Sequence, residues 1–481
     1  MFRRLYIISA LVLLILVTLV KIPVGYEYEL IWFLVGLAML IPAITMGDLF
    51  VERVSFVIIV CVVLVKLIFS PMFMSDRFVD LVEKRDNNMS SFNTKKEDIR
   101  RVTLAMALQV SNKVLGVTYR GTQLSSQYEM ESSTASVQEV NGKLYWIIPL
   151  DYAGITKWFS LEYIPGYIRL SATDPKGKPE LVLGKEIIVS MGGYFGDSIE
   201  RKVWLASNLS ETETHLEIDD KGDPYYISVV VRPKIGFSAD DIDYIIMTNA
   251  QTGEMERVEK DEMVTKYPWV DRVWPERIVS ERIRWFGSLK DGFINKVFTG
   301  RNVAEPTKYN NQELWLVRVN ERLHWFTGMT STNYSDKSLV YGVFALSGSD
   351  IGNNKKPIIN IFSMSMVSDE EGAIEAIDSA LGANSIKWNP VLPQPYIVGN
   401  KFYWTTVIVS LTDIFQKIAF MKGDDISDIT FVDGEKKGNS MLNVGSVSKL
   451  KSGREALVQK MLELVGELEL IRLELENSEP I

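Results

Sequence analysis

The pattern of apolar positions divides the chain into two parts. Before residue 75 the apolar residues form three nearly continuous runs, Leu5–Val20, Leu30–Met46 and Val54–Phe73. A helix needs about 20 apolar residues to cross the roughly 30 Å of hydrocarbon in a bilayer. Residues 1–75 are therefore predicted to form three transmembrane helices. For the middle run, which contains Pro42, a buried or re-entrant helix is the alternative.

The charges beside these runs bear on orientation and compartment. Arg3 and Arg4 precede the first run, and such residues favour the cytoplasmic side, although the loop charges alone do not decide the orientation. Lys66 lies close enough to the end of the third run for its side chain to reach the bilayer surface. The single cysteine, Cys61, lies within an apolar run, which agrees with an extracytoplasmic domain that folds without disulfides. We expect an integral membrane protein whose large domain is extracytoplasmic.

A short aromatic string recurs after residue 90. NGKLYWIIPL from Asn141 returns as NERLHWFTGM from Asn320 and as NKFYWTTVIV from Asn400, and GDPYY at 222–226 fits the same alignment. The two aromatic columns contain Tyr145, Tyr225, His324 and Tyr403, followed by Trp146, Tyr226, Trp325 and Trp404. The first and third copies lie 179 residues apart (146 to 325) and the second and fourth 178 (226 to 404). This spacing indicates a two-unit module that has been duplicated.

Each copy is preceded by a helical pattern and followed by a strand that ends in turn residues. The predicted helix starts are Thr94, Asp197, Glu276 and Ser368, and Thr94-x-x-Glu97 and Ser368-x-x-Glu371 have the spacing of capping boxes. The chain is thus predicted to be α+β, with about three antiparallel strands in each unit. We expect four repeated modules at 76–190, 191–265, 266–360 and 361–440, and a C-terminal helix at 450–478.

The aromatic strand GKLYWIIPL and the turn in TNAQTGEMERV resemble the PepSY-like group of small helix-plus-sheet modules. The resemblance covers about residues 90–435, and the copies with Pro224 and His324 depart from its pattern. It implies a binding or regulatory role outside the cytoplasmic membrane, and it implies no catalysis.

Two interpretations of the aromatic pairs remain open. Adjacent strand residues point to opposite faces of a sheet, so one ring of each pair is expected in the core under the helix and the other on the opposite face. Both rings then serve packing, or the outer rings form a ledge that binds a peptide or glycan. Packing is favoured, because a core requirement recurs in every copy whereas a ligand site need not.

The end of the chain predicts an amphipathic helix with a coiled-coil seam. Its apolar residues follow the alternating spacing of four and three, at Leu457, Met461, Leu464, Leu468, Ile471 and Leu475. The seam predicts self-association, and packing of this helix onto the last module is the alternative. Gly466 weakens the helix.

Composition and candidate chemistry narrow the function. The formal net charge is −9, which argues against a nucleic-acid partner, since phosphates are bound by Lys and Arg. The two histidines, His215 and His324, cannot build a histidine metal cluster, and no metal or cofactor is expected. The carboxylates in SADDIDY (240–243) and KGDDISD (424–428) are interpreted as solvated turn residues, with Ca²⁺ binding or glycoside hydrolysis as alternatives.

The sequence therefore predicts a non-enzymatic scaffold or binding protein of the cell envelope. Its expected partners are membrane lipid, through residues 5–73, and a protein partner or further copies of the chain in an oligomeric assembly. The alternatives are a PepSY-like module that regulates or inhibits an envelope protease, and a carboxylate-dependent glycan hydrolase.

Overall fold

The computed structural model describes residues 2–24, 27–331, 338–348 and 356–433 of a mixed α+β protein. The predicted C-terminal helix at 450–478 and its seam lie outside these residues. Four of the protein's helices each contact the sheet that follows them in the chain.

Four helices open the chain. They are α1 (Phe2–Val20), α2 (Glu29–Met46), α3 (Leu49–Ile68) and α4 (Pro71–Val79), and they include the three predicted apolar runs. In the described part of the chain, no single helix is both long enough and apolar enough to cross a membrane. Helices α3 and α4, which meet at a bend of 50°, satisfy both criteria when they are taken together. The prediction of three spans stays a prediction.

The short strand β1 (Glu83–Asp86) follows α4. The first large sheet comes after helix α5 (Leu104–Asn112) and a small hairpin of β2 (Thr118–Tyr119) and β3 (Thr122–Gln123). Its strands are β4 (Tyr128–Met130), β5 (Ser136–Val140), β6 (Lys143–Tyr152), β7 (Ile164–Ser171) and β8 (Glu180–Ile187), with helix α6 (Ile155–Ser160) between β6 and β7. β5, β6, β7 and β8 form an antiparallel meander, and β4 also pairs with β6.

The second sheet has the same meander. Helix α7 (Ile199–Ala206) precedes β9 (Glu211–Ile218), β10 (Pro224–Ile235), β11 (Ser238–Asn249) and β12 (Met255–Val258), which pair in that order. The short helix α8 (Met263–Lys266) leads away from it.

The third sheet follows helix α9 (Glu276–Leu289) and a π-helical turn at Asn295–Thr299. Its meander is β14 (Trp315–Val319), β15 (Arg322–Ser331), β16 (Ser338–Leu346) and β17 (Ile358–Ser368). The strand β13 (Ala304–Pro306) also pairs with β15, and β1 adds to β17 in parallel. Thus β1 belongs to the third sheet although it lies in the range predicted for the first module.

The fourth sheet follows helix α10 (Glu370–Leu381). It is the meander of β18 (Trp388–Val398), β19 (Lys401–Ser410), β20 (Phe415–Lys422) and β21 (Ile429–Asp433). Each meander therefore has four strands where about three were predicted. The strand that opens each meander carries Gln, Glu, Arg or Pro among its apolar residues, which weakens its apolar pattern in the sequence.

The helix start predicted at Thr94 is far from the observed one. The capping-box prediction at Thr94 fails because Thr94 bonds to both the N–H and the carbonyl of Ile397, at 2.7 and 3.0 Å. The helix α5 instead begins after Thr103, whose hydroxyl accepts the N–H of Met106. The predicted start of α10 is wrong by one residue, because its side-chain cap is Asp369, which accepts the N–H of Gly372 at 2.8 Å. Tertiary hydrogen bonds override the local motif at Thr94.

The four meanders share one set of backbone hydrogen bonds, which we call the junction. The residue that follows the third meander strand donates its N–H to the carbonyl just before the aromatic pair, at 2.9–3.4 Å. Its own carbonyl accepts an N–H from the segment that leads into the helix preceding the same sheet, at 2.7–3.4 Å. These junction residues are Ala172, Ala250, Ser347 and Gly423. All are small and buried, and a Cβ on Gly423 would lie 2.7 Å from Cδ1 of Phe402.

In three of the four pairs the second aromatic is a tryptophan, and its indole completes the junction. The indole N–H of Trp146 donates to the carbonyl of Val102, that of Trp325 to Trp274, and that of Trp404 to Ser368, at 2.8, 3.1 and 2.8 Å. Each acceptor is the residue just before the N-cap of α5, α9 or α10. The N-terminus of each helix is thereby fixed to the second strand of its own sheet.

Replacing Trp404 by Phe should weaken the attachment of α10 to the fourth sheet. The change removes the indole donor and leaves the Ser368 carbonyl without its partner, which costs about 1–3 kcal/mol. Hydrogen exchange of the α10 amides measures this loss as a lower opening free energy. The matched control is Trp388→Phe on β18, at the half-buried start of the same sheet. Equal losses in both variants would contradict the assigned role of the indole N–H.

Candidate functional site

The first aromatic of each pair lies on the face opposite the junction, and its surroundings differ among the sheets. Tyr145 packs under the guanidinium of Arg169 at 5.1 Å, and Tyr225 contacts the ring of Trp269 at 5.3 Å. Tyr403 lies 6.4 Å from Tyr396 between ring centroids. His324 is buried edge-on to Phe344 at 6.0 Å, and its Nδ1 lies 2.9 Å from the carbonyl of Arg322. The outer rings have separate partners, and whether they bind a ligand stays a prediction.

Three hairpin turns surround a cavity of about 370 Å³. The turn at Asn141–Gly142 joins β5 to β6, the turn containing Asp220 joins β9 to β10, and the turn at Asn320–Glu321 joins β14 to β15. The first and third turns have positive φ at both central residues, the conformation that suits two-residue hairpins. The segment at 264–271, which begins in α8, completes the lining together with Leu323 and Gly348. The turns of three aromatic hairpins thus meet at one place.

The lining of this cavity is acidic. It contains four carboxylates against one guanidinium, namely Glu139, Asp220, Asp271 and Glu321 against Arg322. Trp269 and Pro268 supply an apolar wall. A carboxylate cluster beside an aromatic ring favours an organic cation, because the ring face is also attractive to positive charge. In the described ranges no three His, Cys, Asp or Glu side chains are grouped so as to hold a metal ion.

Buried carboxylates position the loop that forms the cavity floor. Glu217, nearly inaccessible on β9, accepts the backbone N–H groups of Asp271 and Arg272 at 2.8 and 3.0 Å. Asp271 in turn accepts the N–H of Glu139 at 2.5 Å. Burial, with the nearby charges of Glu217 and Glu139, raises the pKa of the Asp271 carboxyl well above its usual range. Asp271 therefore gives this acidic cavity a group that titrates above the pH of an ordinary aspartate.

Arg318 connects three parts of the chain beside the cavity. It makes two hydrogen bonds to the Glu139 carboxylate, both of 2.9 Å, and two to Asp98, at 2.9 and 3.0 Å. These are paired, charge-assisted contacts, which are stronger than neutral hydrogen bonds. The pairing ties the first sheet, through Glu139, to the third.

The histidine and the carboxylates considered from sequence lie elsewhere. The ring of His215 is 3.1 Å from the Glu217 carboxylate, and burial, with the charge of Arg272, lowers its pKa. The interpretation of SADDIDY as a turn is wrong, because these residues lie in β11, where the long strand already begins at Ser238. The KGDDISD carboxylates do lie at the turn after β20, and Asp425 accepts the N–H of Ser427 at 3.0 Å.

The carboxylates of SADDIDY each lie beside a cation. Asp240 pairs with Arg277 at 2.6 Å and Asp243 with Arg232 at 3.1 Å. Asp241 has Lys260 and Arg282 each at 3.5 Å. These contacts account for the three side chains as structural ion pairs.

Sequence reasoning missed the residues that build the cavity. A signal for one pair was present, because Glu139 and Arg318 occupy the same alignment column, two residues before Asn141 and Asn320. Opposite charges in equivalent columns of two repeats indicate a contact between them when the repeats pack face to face. Glu217 and Asp271 carry no such signal.

The pH dependence of stability should report the charge on Asp271. The pKa of the Asp271 carboxyl is higher in the folded chain than in the unfolded chain, where it is about 3.8. Its contribution to stability is therefore fully present below about pH 3.8 and is lost as the pH rises through the folded-state pKa. Asp271→Asn should therefore unfold at a higher temperature than the native chain at pH 7.5, with a difference that shrinks toward pH 4. Thermal unfolding across this pH range measures the effect.

The matched control is Glu321→Gln, on the rim of the same cavity. The ion pair with Lys95 lowers the pKa of Glu321, so its contribution is present at neutral pH and is lost as the pH falls. This variant should be slightly less stable than the native chain at pH 7.5 and equal to it in acid. The same pH response in both variants would contradict the assignment.

Comparison with known proteins does not place the chain in a family. No protein-family model matches the chain, and no curated protein matches it.

Proposed function

We propose that this chain is a membrane-anchored, non-catalytic scaffold of the cell envelope, and that it binds a basic segment of a protein partner in the acidic cavity. The proposal includes four related helix-plus-sheet units, a large extracytoplasmic domain and self-assembly through the C-terminal helix. The observation that carries it is the meeting of three hairpin turns around an acidic, ring-walled cavity.

The shared junction supports the four related units. The same donor and acceptor positions recur relative to Trp146, Tyr226, Trp325 and Trp404, which is difficult to reconcile with four unrelated sheets. The first strands of neighbouring units also pack in pairs, β5 against β9 and β14 against β18. This pairing agrees with duplication of a two-unit module.

The surface of the first three helices supports a membrane anchor. Apolar side chains such as Leu19, Phe50 and Phe56 point outward, where a lipid environment would bury them. Charged contacts concentrate at one end of the bundle, where Lys66 pairs with Glu29 and Lys21 with Glu200 of α7. Such pairs at one end suit the polar boundary between a bilayer and a domain outside it.

The cavity suits a basic peptide segment. Its volume of about 370 Å³ lies within the range of small-ligand sites, large enough for a side chain or two. Glu139 and Glu321 already pair with Arg318 and Lys95, so the attraction of a Lys or Arg would depend chiefly on Asp220. Trp269 would contact the aliphatic part of such a side chain. Oligomerisation and partner binding then use different regions, since the seam lies at the far end of the sequence.

Site-specific photo-crosslinking in cells tests partner binding. A photoreactive residue in place of Asn141 at the cavity rim should crosslink a discrete protein, and the combined variant Asp220→Lys with Glu321→Lys should reduce that product several-fold by reversing the charge of the rim. The matched control is Asp424→Lys, which reverses an exposed carboxylate on the fourth sheet. Undiminished crosslinking in the double variant would contradict a charge-dependent cavity.

Loss of the oligomer when residues 453–481 are removed would separately support assembly through the seam.

A regulatory PepSY-like module is the second candidate function. The turn that carries the resemblance is formed, since the side chain of Asn249 accepts the N–H groups of Gln251 and Thr252 at 2.9 and 3.1 Å. Under this alternative, adding the purified chain to an envelope protease would lower the protease activity, whereas a scaffold would leave it unchanged.

A further inference from the structure

An exposed aromatic patch lies beside helix α7. Its residues are Ile155, Phe159, Tyr194 and Phe195, which surround the half-buried ring of Trp158, and we call it the α6 patch. The side chains of Phe159 and Phe195 are 71 and 67% exposed. Trp158 is held in place, because its indole N–H donates to the Asp197 carboxylate at 3.0 Å. The patch is a fixed surface with its rings directed outward.

A second apolar patch follows α9. Ile294, Val297 and Phe298, around the π-helical turn, are exposed by 72, 54 and 80%, and we call them the π-turn patch. The neighbouring Phe293 packs with Leu289 and Phe78 in the core between α4 and α9. The turn is thus anchored by one ring while its next apolar side chains point away from the protein.

Both patches lie where the N-terminal helices meet the sheets. Asp197, which holds the α6 patch, is three residues from Glu200, and Glu200 pairs with Lys21 at the end of α1. The core beneath the π-turn patch includes Phe69, the residue that follows α3. The ends of α1 and α3 are on the same side of the bundle, because Lys66 near the end of α3 pairs with Glu29 at the start of α2.

We propose that the α6 patch and the π-turn patch rest in the headgroup region of the lipid bilayer. They would seat the sheets directly on the membrane surface at two places beside the helix bundle. This inference rests on the proposed membrane anchor and adds that the domain outside the bilayer also contacts lipid.

The chemistry of the patches favours lipid over a protein partner. Aromatic side chains with a polar atom, such as Trp158 and Tyr194, are enriched at membrane interfaces, and Phe and Ile insert their apolar groups at the acyl boundary. The patches belong to different elements and share only their nearness to the helix ends. A planar bilayer around the bundle would cover both at once.

Fluorescence quenching of the full-length chain in liposomes tests the inference. In a Cys61→Ser background, single cysteines at Phe195 and Phe298 carry an environment-sensitive nitrobenzoxadiazole probe. Quenching by lipids spin-labelled near the headgroup is compared with quenching by aqueous iodide. Phe56→Cys on α3 reports lipid contact of the anchor, and Ile426→Cys on the fourth sheet reports solvent. Probes at Phe159 and Ile294 repeat the measurement within each patch, so that one perturbed position cannot decide the result.

The expected result is strong lipid quenching at both patches, with iodide quenching several-fold lower than at position 426. If the patch probes behave like position 426 while position 56 is quenched by lipid, the anchor stands and the patch inference is overturned. If position 56 is not quenched by lipid, the proposed membrane anchor fails and this inference with it. Protection of the patch probes from both quenchers would assign the patches to contacts between copies of the chain, which also overturns lipid contact.

Discussion

The junction is the constraint on which the architecture depends. At one point in each sheet, a single small residue joins the second strand, the third strand and the segment before the helix through its backbone N–H and carbonyl. Buried backbone groups must be paired, and this arrangement pairs the groups of three chain segments at once. The arrangement leaves no space for a large side chain at the junction residue. At Gly423, even a Cβ atom would lie too close to the ring of Phe402. The indole N–H groups of the three tryptophans donate to carbonyls at the same point. Packing and hydrogen bonding therefore both hold the start of the helix against the sheet.

The cavity depends on a second level of contacts between sheets. Hydrogen bonds within a sheet are set by strand register, but the position of one sheet against another is set by a few buried polar side chains. Gln138 on β5 bonds to the carbonyl of Leu216 and the N–H of Ile218 on β9, at 2.6 and 3.0 Å. Arg318 links the first and third sheets. Buried polar contacts such as these are costly when incomplete, so they favour one relative placement of the sheets, and the cavity is a product of that placement.

The sequence contains the information for the units but little for their arrangement. The aromatic columns locate the second strand of every meander, because the same pair of positions is occupied by aromatic residues in each repeat and the recurrence can be seen in one sequence. Thr94 shows the limit of local reasoning, since its capping-box spacing is genuine but its hydrogen bonds go to Ile397, about 300 residues away. Asp271 and Glu217 could not have been chosen among 61 acidic residues, because burial and proximity define them. The pairing of β1 with β17 could not be predicted from the sequence either, because the four residues of this edge strand are polar and show no hydrophobic pattern.

That edge strand also determines how mechanical force would pass through the molecule. The chain leaves α4 and enters β1 four residues later, where Glu83 to Asp86 pair in parallel with Ile358 to Ile361. Tension between the helices and the sheets would act along β1, so its bonds to β17 would be sheared together instead of opening one after another. Of the tension carried by the covalent connection after α4, the third sheet would take up its share first, and separation of β1 would lengthen the tether while leaving the meander of β14 to β17 intact.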